Sequence, residues 1–80
     1  MIRTEIINQL TPLAQEVFMK PELVLTDDLS AANVDTWTSL AFMQFLTAIE
    51  EKFGFKFKMM ELVHLKTMGD ILNAMEQHLA

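Results

Sequence analysis

Ser39 is the residue with the most chemistry to offer. It stands where the polar, turn-like run Asp35-Thr36-Trp37-Thr38 gives way to the apolar helical pattern beginning Leu40-Ala41-Phe42-Met43. A serine at a helix start faces free backbone N–H groups and the positive end of the helix dipole. One role for it there is to cap the helix. Another is to bear a phosphate ester, because a helix N-terminus favours anions. Such an ester would lie at the end of a loop, within reach of a modifying enzyme. Both roles fit the local sequence.

The other candidate groups do not assemble into a catalytic site. His64 and His78 lie on different predicted helices, and neither has a metal-ligating neighbour at helical spacing. Both read as ordinary surface histidines. Glu50 and Glu51 are adjacent, so a helix points them in different directions. Asp27 and Asp28 read as a solvated or capping loop pair. With two glycines there is no phosphate-cradling loop, and with no cysteine there is no thiolate zinc site, disulfide or redox pair. No metal site and no enzyme activity are expected.

Several elements must place Ser39. Ile6, Leu10, Leu13 and Val17 line one face of a first helix over residues 4–18, with Pro12 read as kinking it near Asn8. Residues 19–38 form a long connection. Its Leu23, Val24, Leu25, Leu29, Val34 and Trp37 are too apolar for a floppy linker, so an ordered loop pinned to the core is expected. The second helix, 39–53, carries the stripe Leu40, Met43, Leu46, Ile49 and Phe53, widened by Phe42 and Phe45, and Gly54 ends it. The run Phe55-Lys56-Phe57-Lys58 alternates but has no partner strand, so it reads as a connection with Phe55 or Phe57 turned inward. A short helix over 59–65 follows. Thr67 and Asp70 have capping-box spacing and open a last helix with Ile71, Leu72, Met75 and Leu79 inside. The predicted fold is all-α: a four-helix bundle of three main helices and one short third helix, with a long ordered loop between the first two.

Composition narrows the function further. Eighty residues make a single domain, 1–80, with one small core. The net charge of −5 argues against nucleic acid, which needs a basic face. Between Pro21 and Glu51 the charges are all acidic (Glu22, Asp27, Asp28, Asp35, Glu50, Glu51). From Lys52 to Lys66 four lysines oppose Glu61. The acidic stretch would steer a basic partner, or it simply keeps the chain soluble. No apolar run approaches the roughly 20 residues that span a bilayer, so membrane insertion is not expected. Glu5 and Asn8 interrupt the first apolar run, so no secretory leader is expected either, and a cytoplasmic monomer is the default.

Taken as a whole, the chain resembles the acyl carrier protein family over roughly residues 4–79. The resemblance rests on Leu25-Thr26-Asp27-Asp28-Leu29 in the loop and Val34 to Leu40 at the junction. Ala48-Ile49-Glu50-Glu51-Lys52-Phe53-Gly54 closes the second helix in the family's manner, and Phe57, Leu65 and Thr67-Met68-Gly69-Asp70-Ile71 follow. The resemblance implies a four-helix bundle with a short third helix. It also implies that Ser39 takes 4′-phosphopantetheine from coenzyme A through a magnesium-dependent phosphopantetheinyl transferase. The thiol of that arm would carry an acyl or aminoacyl group as a thioester between loading and acyl-using enzymes, so the missing cysteine is no obstacle.

Three departures stand out. Thr38 replaces the aspartate that the family nearly always has before the serine. Ala41 and Gln44 stand where fatty-acid carriers are often acidic. Lys56, Lys58 and Lys66 make the third-helix side basic. The expected docking surface is Thr38, Leu40, Phe42, Met43, Glu50 and Glu51, with Trp37 anchoring the loop beneath. The expected acyl pocket is lined by Met43, Leu46, Leu62, Leu65 and Met68, within a soft interior drawn from seven methionines and six phenylalanines. A specialised carrier is expected rather than one of central fatty-acid synthesis. The competing reading is a helical protein–protein interaction module that kept the fold and lost the arm.

Overall fold

The computed structural model describes all residues, Met1–Ala80. Four helices follow one another: α1 (Arg3–Val17), α2 (Ser39–Phe53), α3 (Met59–Leu62) and α4 (Met68–His78). There are no strands, and residues 55–58 are a connection, with Phe57 buried and Phe55 half-buried. α1 packs against both α2 and α4. No helix is long and apolar enough to cross a membrane.

α1 runs through Pro12 without interruption. Proline has no N–H for the carbonyl of Asn8, but both residues are exposed, so water can serve that carbonyl. Ile6, Leu10, Ala14 and Phe18 are fully buried, whereas Leu13 and Val17 only flank the core.

The buried face of α2 differs from the expected stripe. Ala41, Phe45, Leu46 and Ile49 are buried, while Leu40 and Met43 are 69% and 55% exposed. Apolar residues almost encircle the first two turns of this helix, so periodicity alone admits two stripes. α1 and the loop decide between them, because Phe18 meets Phe45 with ring centroids 5.1 Å apart. Gly54 ends the helix in the left-handed conformation (φ 76°), as its position suggests.

α3 is shorter than expected and stops at Leu62, while Leu65 is buried beyond its end. The Glu61 carboxylate accepts the N–H of Lys58 at 2.7 Å and closes the first turn. α4 starts with the reciprocal cap anticipated from Thr67 and Asp70. Thr67 Oγ1 accepts from the Asp70 N–H at 3.1 Å, and Asp70 Oδ2 accepts from the Thr67 and Lys66 N–H groups at 3.0 Å. His78 is not the surface histidine expected. It stacks on Phe55 with centroids 4.4 Å apart, and its Nε2 lies 2.8 Å from Glu61, tying α3 to the end of α4.

The long loop is fastened to α4 by backbone bonds. The N–H groups of Met68 and Gly69 donate to the carbonyls of Leu29 (2.8 Å) and Asp27 (3.0 Å), which satisfies two of the free donors at the helix start. Arg3 joins α1, loop and α4 by donating to Asp27 at 2.8 Å, to Asn73 at 2.9 Å and to Glu76. Leu25, Val34 and Trp37 enter the core from the loop.

Two predictions follow from these attachments. A Cβ at position 69 would lie 3.0 Å from the Asp27 Cβ and 3.1 Å from the Asp27 carbonyl oxygen. Gly69→Ala should therefore destabilise the fold by about 1–3 kcal/mol through overpacking, despite alanine's better helix propensity, and urea unfolding would measure it. Acid should act through two carboxyls. The pair with His78 holds the Glu61 carboxyl below its usual range, and the Lys66 and Thr67 N–H groups do the same for Asp70. Groups whose pKa is depressed on folding stabilise at pH values above the ordinary carboxylate range, and that contribution is lost as pH falls through their folded values. The unfolding free energy should thus fall on acidification below about pH 4. Asp70→Asn should flatten that fall in a pH series of unfolding curves.

Candidate functional site

The site is built at the junction of the loop and α2. Trp37 is buried and stacks on Phe18, with centroids 4.8 Å apart and planes 16° from parallel. Phe42 also stacks with it, at 5.8 Å and 18°. The N–H of Trp37 donates to the Val34 carbonyl at 3.0 Å. Nearby, Lys20 Nζ meets Asp35 at 2.6 Å and holds that carboxyl below its usual range. These contacts fix the backbone that enters the helix.

Thr38 caps α2. Its backbone is extended (φ −89°, ψ 169°), and its Oγ1 accepts the Ala41 N–H at 3.1 Å. Its carbonyl accepts the Phe42 N–H at 2.9 Å. Ser39 is then the first residue of the helix. It is exposed, and its hydroxyl makes no hydrogen bond to the protein. The sequence offers Ser39 as a cap, and the structure gives that role to Thr38 instead. The first turn holds no acidic side chain, so the positive end of the helix dipole is not offset within it. The N–H groups of Ser39 and Leu40, at the helix start, have no protein acceptor. A nucleophilic hydroxyl beside two free N–H donors suits a phosphodiester.

The remaining docking candidates surround this point unevenly. Leu40 and Met43 project from the surface, and Phe42 is half-buried against Trp37. Glu51 is exposed. Glu50 is half-buried, and its Oε2 accepts the Phe57 N–H at 2.8 Å, so it also holds the 55–58 connection in place. Leu46, Leu65 and Met68 are buried and Leu62 packs against the core. Met43 does not join them. It borders a surface groove with Gln44, Thr47 and Glu51, because Ala41 and Phe45 take the inward positions. A separate groove between α3 and α4 is bordered by Met60, Leu65, Asp70 and Ala74. Sequence reasoning did not anticipate it, since its residues come from two helices that share no common pattern.

The division of labour at the junction makes a specific prediction. Thr38→Ala should cost about 1 kcal/mol of stability. Ser39→Ala should cost much less, because no cap is lost. Paired denaturant titrations of the two variants would check this, and equal losses would contradict the geometry.

Comparison with known proteins identifies the family. A family model described as a phosphopantetheine attachment site matches residues 8–75. The solution NMR structure of a holo acyl carrier protein from Geobacter metallireducens is 34% identical, with a TM-score of 0.84 over 91% of this chain and 84% of that one. A putative acyl carrier protein from Mycobacterium tuberculosis, 17% identical, shares the fold with a TM-score of 0.75 over 86% of this chain and 92% of that one. No curated protein matches the sequence. From the family match and the 34% identical relative together, the chain belongs to the acyl carrier protein family, whose members hold their cargo on a phosphopantetheine prosthetic group and are carriers rather than enzymes.

Proposed function

We propose that Ser39 is the attachment point of the 4′-phosphopantetheine arm, and that the chain carries an acyl or aminoacyl group as a thioester in a specialised pathway. The observation that carries this reading is the capping of α2 by Thr38, which leaves the Ser39 hydroxyl exposed and without a partner. In the loading step Ser39 Oγ bonds to the phosphorus of coenzyme A that bears the pantetheine. The phosphoanhydride bond breaks, adenosine 3′,5′-bisphosphate leaves, and the hydroxyl proton passes to a base of the transferase. Once attached, the arm supplies the thiol that this cysteine-free chain lacks.

The docking surface supports a specialised role. Thr38 keeps the cap without the negative charge that carriers of this family usually place before the serine. Ala41 and Gln44 add none, and one oxygen of Glu50 is committed to Phe57. Leu40 and Met43 are the prominent side chains near Ser39. A partner would therefore read shape and apolar contact more than charge. Loading and acyl-using enzymes of the cytoplasm, acting on a monomer, are the partners this reading requires.

Intact mass after incubation with coenzyme A, magnesium and a broad-specificity phosphopantetheinyl transferase tests the proposal. Wild type should gain one phosphopantetheine and Ser39→Ala none. Absence of the gain, also with the transferases of the source organism, would favour an interaction module without an arm. Thr38→Asp should load faster than wild type; an equal or slower rate would remove the role given to that position.

A further inference from the structure

One groove adjoins the Ser39 junction directly. It has a volume of about 650 Å³ and runs between the end of α1 and the start of α2, a size typical of small-molecule sites. Thr38 and Leu40, the two chain neighbours of Ser39, both line it, together with Val17, Met19, Thr36 and Gln44. The α3–α4 groove contains no residue from this junction.

One feature of the α1–α2 groove, Thr36, is not explained by folding alone. It lines the groove, yet its Oγ1 is closed off from water and is the one buried side-chain polar atom in the protein with no hydrogen-bond partner. Buried polar groups are nearly always paired. A rotation of about 120° around χ1 carries the oxygen to another staggered position, away from this enclosed one. Met19 also lines the groove and is 73% exposed. Its positive φ (54°) belongs to the end of α1, where its N–H donates to the Glu16 carbonyl and the Lys20 N–H to the Gln15 carbonyl.

We infer that this groove is a resting site for the pantetheine segment of the arm. The inference rests on Ser39 as the attachment point. Pantetheine offers two amides, a hydroxyl and a pair of methyl groups. The apolar rim of Val17, Met19 and Leu40 fits the methyl groups. The Thr36 hydroxyl and the Gln44 amide fit the arm's carbonyls and N–H groups. Glu16 and Asp35 also line the groove. Their carboxylates accept from amide N–H groups, and Lys20 offsets the charge of Asp35. The phosphate stays outside, at the free N–H groups of Ser39 and Leu40. An arm resting here lies between α1 and α2, away from α3.

The chain's methionines are reporters for this geometry. Met19 lies in the groove, Met43 outside it on α2, and Met59 and Met60 on α3. The full chain, loaded with phosphopantetheine and bearing a nitroxide on the arm's thiol, is compared with its reduced form by methyl NMR of labelled methionines. The largest intensity loss should fall on Met19. In Thr36→Val, confirmed as folded by its unfolding midpoint, that loss should shrink relative to the other methionines. Strongest loss at Met59 and Met60, or equal loss at all exposed methionines, would overturn the groove as a resting site. Loading is read beforehand by mass, so a protein that never accepts the arm refutes the attachment point instead.

Discussion

Trp37 stacks with both Phe18 and Phe42, and these contacts anchor the loop where α2 begins. Phe18 closes α1, Trp37 closes the loop, and Phe42 and Phe45 belong to the first turns of α2. Aromatic pairs of this kind add to an already large burial of apolar area. Without that anchor the long loop could hand the chain to α2 in more than one register. With it, Thr38 falls at the cap position and Ser39 at the first helical position. The hydroxyl available for chemistry is therefore a consequence of packing two residues earlier in the chain.

The far end of the loop shows the same economy. Two loop carbonyls satisfy the first N–H groups of α4, and the closeness this needs is possible because residue 69 is glycine. Arg3 ties the start of α1 to the same place. A chain of this size has a small core and few spare interactions. Here the loop contributes three core residues and part of the capping of α4, so it is part of the scaffold rather than a tether between helices.

Much of this was legible because the signals were local. Gly54 marked the end of α2, and Thr67 with Asp70 marked the start of α4, each within one helical turn. The junction at Ser39 stood out for the same reason. Other features depended on residues distant in the chain. The inward face of α2 could not be read from a helix start that is apolar on nearly every side, so Leu40 and Met43 were assigned to a buried stripe and are in fact exposed. His78 looked like a surface residue because its partners, Glu61 and Phe55, belong to other elements. Ser39 was read as a capping candidate, but where the helix starts depends on how the loop packs, and that places Thr38 at the cap.

The account turns on one hydroxyl being free where its neighbours are engaged or enclosed. The most direct test is fragmentation mass spectrometry of the transferase-treated wild-type protein, locating the phosphopantetheine ester within the peptide that spans residues 35–45. The account predicts the ester on Ser39 alone, with Thr36 and Thr38 unmodified and the far-UV circular dichroism unchanged by loading. An ester on either threonine, or a loss of helix on loading, would contradict it.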